Sequence, residues 1–242
     1  MKHKINLAVA LVLITVVISA QNPQWLNYTN GSQINTLAEE SNKIWIGTTG
    51  GILNINKDTG ITTFFNAANS GLSCNIVNSI FIDGDGAKWI GTECGGLVKF
   101  IGSAWTIFNV SNSGLPDNTV LSLAAGEGGV LWIGTQNGLV RFDGSDWTVY
   151  NSSNSGLPVD EVQTLSLDED GIIWIGAYND CFSGGLIGFD GADWKIFNTS
   201  NSGLPDNRVL SITIDGDGLK WISTEYGGMA KFDELTWTIY NM

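Results

Sequence analysis

Residues 88–100 read KWIGTECGGLVKF and residues 220–232 read KWISTEYGGMAKF, two versions of one phrase. The stretches IWIGTTGGIL (44–53), LWIGTQNGLVRF (131–142) and IWIGAYNDCFSGGLIGF (173–189) bring the set to five. Their tryptophans, Trp45, Trp89, Trp132, Trp174 and Trp221, recur every 42 to 47 residues. A second set, Trp105, Trp147, Trp194 and Trp237, keeps the same cadence. Five copies at such a period mean a repeat architecture, in which each unit buries its faces against its neighbours.

Each unit reads as four short strands. A β-branched alternation such as Val209-Leu210-Ser211-Ile212-Thr213-Ile214 is followed by an Asp/Gly turn and a strand around Trp-Ile-Gly-Thr. A Gly-Gly turn then leads to a third strand, and an Asp-Gly turn to a fourth such as Trp147-Thr148-Val149-Tyr150. No useful window has helical periodicity. The pattern predicts an all-β β-propeller of four-stranded antiparallel blades, with a β-solenoid as the structural alternative. Units run over about 30–68, 69–111, 112–153, 154–200 and 201–242, the later four opening on Asn-Ser-Gly-Leu. The tryptophans recur at equivalent positions, which assigns them to packing between blades rather than to sugar stacking. Each buried ring contributes roughly 4–6 kcal/mol of apolar transfer as an upper bound.

Complete sets of four strands start near Ile34, Val77, Val120, Val162 and Val209. Trp25-Leu26-Asn27-Tyr28 looks like an additional fourth strand, although Trp237-Thr238-Ile239-Tyr240 already completes the last unit. The count is compatible with a five-bladed ring or an open arc of a larger propeller. The ring is the favoured expectation.

Composition agrees with this class. The chain has 242 residues, with 31 Gly, 10 Trp and only 14 % charged residues, a mix that suits a turn-rich β protein and not a coiled coil. Its 43 % apolar content argues against disorder. Lys2, His3 and Lys4 precede an apolar run over 5–18 and the small residues Ser19 and Ala20, the layout of a signal peptide over residues 1–20. The mature domain is then 21–242, secreted or periplasmic, with no membrane span expected after cleavage. Losing Lys2 and Lys4 takes the formal charge from −13 to −15, a surface that repels nucleic acid.

The strings Asp-x-Asp-Gly-x-x-Trp-Ile, Gly-Thr-x-x-Gly-Gly-Leu, Trp-Thr-x-Tyr-Asn and Asn-Ser-Gly-Leu-Pro together resemble the two-component regulator propeller repeat. The resemblance extends over residues 25–240. It implies a propeller of the kind found in bacterial periplasmic sensor regions and secreted proteins, notably from Bacteroidetes. It brings no catalytic residues with it. No kinase or sorting domain is recognisable in this sequence.

Chemistry is sparse. The single histidine, His3, lies in the leader, so the mature chain offers neither a Ser-His-Asp triad nor a His-ligated metal. Streptogramin-inactivating lyases have a similar-looking repeat but are expected to need a histidine base. A carboxylate-only hydrolase or lyase acting on carbohydrate remains as the alternative function. Asp83-Gly84-Asp85-Gly86 and Asp215-Gly216-Asp217-Gly218 look like the start of a calcium loop, but the sixth position from Asp215 is Lys220 and the twelfth is Tyr226. They read as hairpin turns, with weak surface calcium as the remaining alternative; no cofactor is expected. Asn109, Asn151 and Asn198 match a glycan acceptor pattern but belong to the repeat.

Alternation of strand direction puts the loops entering each unit and the loops between second and third strands on one face, here called the top. The residue after Trp-x-x-Thr varies there: Thr49, Glu93, Gln136, Tyr178, Glu225. The fourth unit alone lengthens this loop, inserting Tyr178-Asn179-Asp180-Cys181-Phe182-Ser183. Variable positions on a repeating scaffold are where function is added without disturbing packing. Glu93, Gln136, Tyr178, Asp180, Phe182 and Glu225 are therefore the candidate ligand-binding residues, near units four and five. The expected role is a non-catalytic binding module for a small molecule, glycan or protein, with Glu93 and Glu225 favouring a cationic or polyhydroxylated ligand. Cys74 and Cys94 both fall on the top of the second unit and form the expected disulfide, leaving Cys181 free.

Overall fold

The computed structural model describes residues 32–179 and 183–241. The leader, Trp25–Tyr28, Asp180, Cys181 and Phe182 lie outside the described residues. Five four-stranded antiparallel sheets follow one another, each a simple meander. The first comprises β1 (Ile34–Glu40), β2 (Lys43–Thr48), β3 (Gly51–Asn56) and β4 (Thr62–Phe65). The second comprises β5 (Val77–Ile82), β6 (Lys88–Thr92), β7 (Leu97–Ile101) and β8 (Ala104–Phe108). The third comprises β9 (Val120–Ala125), β10 (Leu131–Thr135), β11 (Gly138–Phe142) and β12 (Trp147–Tyr150). The fourth comprises β13 (Val162–Leu167), β14 (Ile173–Tyr178), β15 (Gly184–Phe189) and β16 (Trp194–Phe197). The last comprises β17 (Val209–Ile214), β18 (Lys220–Thr224), β19 (Met229–Phe232) and β20 (Trp237–Tyr240). Among the described residues the helical content is one 3-10 turn, Glu127–Gly129.

The core lies between blades. The first four inner tryptophans lean onto the next blade, so Trp45 meets Phe100, Trp89 meets Phe142, Trp132 meets Phe189 and Trp174 meets Phe232 edge-on. Those phenylalanines stack at 4.0–4.1 Å on the outer tryptophans Trp105, Trp147, Trp194 and Trp237. Offset stacks of this kind add to the apolar burial. Val77, Val120, Val162 and Val209, which open the inner strands, are fully buried.

The inner strands pack in succession, β1 on β5, β5 on β9, β9 on β13 and β13 on β17. There the succession ends. β17 does not return to pack against β1, so the sheets form an open arc and not the favoured five-bladed ring. The residues at the two ends give the reason. Ile55 and Thr62 occupy the places of the Phe–Trp pair in the first blade, so that blade has no aromatic stack to offer a preceding neighbour. Ile34 and Leu37, equivalent to the buried Val77 and Ile80, are 50 % and 63 % exposed. At the other end Trp221 stacks on Tyr240 of its own sheet, and Met229 is 37 % exposed where Ile52, Leu97, Leu139 and Leu186 are fully buried.

The Asp-Gly runs are hairpin turns. In the second, fourth and fifth blades Asp83, Asp168 and Asp215 accept two backbone N–H groups through Oδ1 and the indole N–H of Trp89, Trp174 or Trp221 through Oδ2. Their carboxylates are spent on the turn. The Asn-x-Ser/Thr triplets are structural in the same way, Asn109, Asn151 and Asn198 capping their loops through Oδ1.

Candidate functional site

The top face is built from one backbone contact made five times. The residue after Trp-x-x-Thr donates its N–H to the carbonyl just before each inner strand. These bonds run from Thr49 to Gln33, Glu93 to Ile76, Gln136 to Thr119, Tyr178 to Glu161 and Glu225 to Arg208, at 3.0–3.2 Å. Identical main-chain anchors thus present pairs of differing side chains. In four blades the loop is also pinned from within, because Thr48, Thr92, Thr135 and Thr224 donate their hydroxyls to the carbonyls of Gly51, Gly96, Gly138 and Gly228. The fourth blade has Ala177 there, which has no hydroxyl to give, and this is the blade whose loop is lengthened.

The structure brings Tyr178 and Glu225 together through Arg208. The Arg208 guanidinium lies 5.6 Å from the Tyr178 ring and 5.8 Å from the Tyr226 ring, and Nη1 donates to Glu225 Oε2 at 2.6 Å. Its side chain is only 15 % exposed, whereas Tyr226 is 72 % exposed. Asp206 holds the loop in place by accepting the Tyr226 backbone N–H at 2.8 Å. The Arg208 hydrogen bond holds the Glu225 carboxyl below its ordinary value, and Glu225 in turn raises Arg208 and the Tyr226 hydroxyl. Glu225 is therefore not a free negative charge awaiting a cation. What the seam between blades four and five presents is a guanidinium close to two phenol rings and paired with a carboxylate.

Glu93 and Gln136 stand elsewhere on the same face. Glu93 accepts from Asn78 at 2.8 Å, and Gln136 is exposed. Asp180 and Phe182 lie outside the described residues, so the insertion is represented by Tyr178, Asn179 and Ser183, with the Asn179 N–H donating to the Ser183 carbonyl. Arg208 was missed in the sequence. The signal was present: the position before each inner strand reads Gln33, Ile76, Thr119, Glu161, Arg208, as variable as the position that was singled out. Cys74 and Cys94 are joined with Cα atoms 5.7 Å apart, tying the two top loops of the second blade together.

The opposite face carries the cavities. Clefts of about 510 and 520 Å³ open between the first and second and between the second and third blades, beside Trp45 and Trp89. Buried lysines bridge two of the seams: Lys88 reaches Glu40 of the first blade at 2.5 Å, and Lys220 lies 3.6 Å from Asp168 of the fourth while also binding Glu234. Among the described residues no group of three His, Cys, Asp or Glu is arranged to hold a metal ion. No described helix is long and apolar enough to cross a membrane.

A family model described as the two component regulator propeller matches residues 114–137 and 156–179. Among solved structures, the extracellular domain of the hybrid two component system BT3049 from B. thetaiotaomicron superimposes with a TM-score of 0.74 and 26 % identity over 84 % of this chain and 28 % of its own. PorZ, a surface component of the type-IX secretion system of Porphyromonas gingivalis, follows with TM-score 0.65 and 17 % identity over 83 % of this chain and 32 % of its own. A catalytically inactive virginiamycin B lyase from Staphylococcus aureus, solved with quinupristin, gives TM-score 0.64 and 19 % identity over 88 % of this chain and 74 % of its own. The chain thus spans about a third or less of the first two proteins. No curated protein matches the sequence.

Proposed function

We propose that this chain, which carries two-component regulator propeller repeats, is a non-catalytic binding module that works outside the cytoplasm. The observation that carries the reading is the Tyr178–Arg208–Tyr226 arrangement with Glu225, set at the seam of the last two blades on otherwise regular top-face anchors. Likeness to the extracellular domain of a hybrid two component system supports the location and a role in recognition. Two phenol rings beside an Arg–Glu ion pair suit a polyhydroxylated ligand, with rings against its C–H faces and the guanidinium and carboxylate bonding hydroxyls. A cationic ligand fits less well than the sequence suggested, because Arg208 already neutralises Glu225.

Non-catalytic is the better reading for two reasons. The inactive lyase bears a histidine-to-alanine replacement, and this chain's histidine is at position 3. A carboxylate-only enzyme needs one carboxyl held high enough to donate a proton. The carboxyls of Glu39, Glu40, Asp143, Asp190, Asp215, Glu225 and Asp233 are all held below their ordinary values, the opposite of what a proton donor needs.

The test is calorimetric titration of a panel of soluble oligosaccharides, repeated with Arg208→Ala and Tyr178→Ala. Loss of tenfold or more in affinity in both variants, about 1.4 kcal/mol, supports the site. Binding that survives both replacements in folded protein moves the site off the top seam, and turnover of any glycan refutes the non-catalytic reading.

A further inference from the structure

The third blade breaks a rule that the other four keep. In those four the inner tryptophan's indole N–H donates to a carboxylate of the preceding turn, Trp45 to Glu40, Trp89 to Asp83, Trp174 to Asp168 and Trp221 to Asp215, at 2.7–3.0 Å. The corresponding residue before Trp132 is Gly126. Trp132 is nine-tenths buried as a residue; its Nε1 makes no hydrogen bond among the described residues and is the part of the ring that is open to solvent. That nitrogen points at Gly126: a Cβ built on the glycine would lie 3.0 Å from it. The turn closes by other means, Gly126 donating to the Val130 carbonyl at 2.7 Å and Val130 to the Glu127 carbonyl at 3.3 Å.

Trp132, Gly126 and Val130 line a cavity of about 210 Å³ with Arg141, Glu127, Leu167 and Gly171. Arg141 faces Trp132 across the β10–β11 register, and its one protein partner among the described residues is Asp143, at 3.2 Å on a half-exposed edge. Two donors, one of them charged, therefore line the cavity at the blade position that a carboxylate fills in the sister blades. Val130 and Leu167 give the walls an apolar character suited to a short aliphatic stem. Glu127 is exposed on the rim and works against an incoming anion, which leaves the charge of Arg141 to decide the affinity.

We propose that this pocket, on the face opposite the candidate top site, binds the carboxylate of an external ligand, either a small aliphatic acid or an acidic side chain of a bound polypeptide. The carboxylate accepts from Trp132 Nε1–H and from the Arg141 guanidinium, reproducing what Asp83, Asp168 and Asp215 do internally. The proposal stands apart from the top-face reading, since none of its residues belongs to that seam.

The test follows the indole N–H resonance of Trp132 in isotope-labelled protein during titration, at constant ionic strength, with sodium acetate and with a blocked glycyl-aspartyl-glycine tripeptide. The Trp132 resonance is expected to move saturably while the other indole resonances stay still. Arg141→Gln is expected to weaken the response several-fold. Gly126→Asp supplies the carboxylate from within and is expected to abolish it; Gly126 has φ −103° and ψ 172°, backbone open to aspartate, and the new Cβ, 3.0 Å from Val130 Cβ, requires that side chain to give by a few tenths of an ångström. A tighter response to the tripeptide points to a polypeptide ligand and a tighter response to acetate to a free acid, and both sustain the proposal. A resonance that does not move with either probe, or one that moves equally in Gly126→Asp, overturns it.

Discussion

Gly134 of β10 and Val162 of β13 approach so closely that a Cβ on the glycine would lie 2.6 Å from the valine carbonyl oxygen and 2.7 Å from its Cγ1. The same glycine recurs as Gly47, Gly91 and Gly176, each opposed by the valine that opens the next blade. Interlocking of neighbouring blades depends on the missing side chain. The fifth blade has Ser223 in this place, where no further inner strand packs among the described residues.

Gly134→Ala is expected to lower stability by about 1–3 kcal/mol, because backbone and not a flexible tip stands in the way. Ser223→Gly is expected to cost no more than about 1 kcal/mol, the ordinary penalty of glycine in a strand. Paired urea denaturation of the two variants measures the difference. Equal losses would mean that blade spacing does not rest on this contact.

The repeat made most of the architecture legible. Period, strand alternation and turn residues are local signals, and they placed all five inner strands at Ile34, Val77, Val120, Val162 and Val209. Ring closure was not legible, because the count of complete units is the same for a ring and an arc. The information lay in departures from the repeat, Ser223 for glycine and Ile55 and Thr62 for the Phe–Trp pair, which acquire meaning only once the faces they serve are known. The top site was half legible. Variation after Trp-x-x-Thr pointed to Tyr178 and Glu225, but Arg208 sits 17 residues from Glu225 and is joined to it by the turn of the blade, not by any sequence motif.

Lys220 is expected to matter far more than its place at a strand end suggests. Its side chain and that of Asp168 are each only 4 % exposed, and they bridge the fourth and fifth blades. Removing Lys220 leaves the buried Asp168 carboxylate with its three turn hydrogen bonds but without a counter-charge. Lys220→Met is expected to cost about 3–5 kcal/mol. Lys57→Met, which breaks an exposed pair with Glu39, is expected to cost no more than about 1 kcal/mol. Chemical denaturation of both variants reads the contrast, and a small loss for Lys220→Met would refute a structural role for the bridge.

Acid is expected to loosen the first seam. Burial alone would raise the Glu40 carboxyl, but hydrogen bonds from Lys88 and Trp45 outweigh it and hold the group below its ordinary 4.5. A carboxyl lowered in the folded state adds stability above its unfolded value, and that contribution is lost as pH falls through the lower folded value. Thermal midpoints should therefore decline below about pH 4.5. In Glu40→Gln the decline should be shallower, from a lower starting midpoint. Parallel curves for the two proteins would show that Glu40 does not contribute to the acid response.

The disulfide offers a test of how firmly the top loops are tied to the second blade. Cys74 and Cys94 are 20 residues apart, and both lie where the loop into the blade meets its central hairpin. Closing a loop of this size restricts the unfolded chain by about 3 kcal/mol in the chain-entropy account. Cys74→Ser/Cys94→Ser is expected to lower stability by that order while leaving the strand signature in circular dichroism unchanged. The bridge sits three blades away from Arg208, so ligand affinity at the last seam should be unaffected in the same variant. Stability close to that of the parent would show that the unbridged loops already hold each other, through contacts such as the Glu93 N–H to Ile76 carbonyl bond at 3.0 Å.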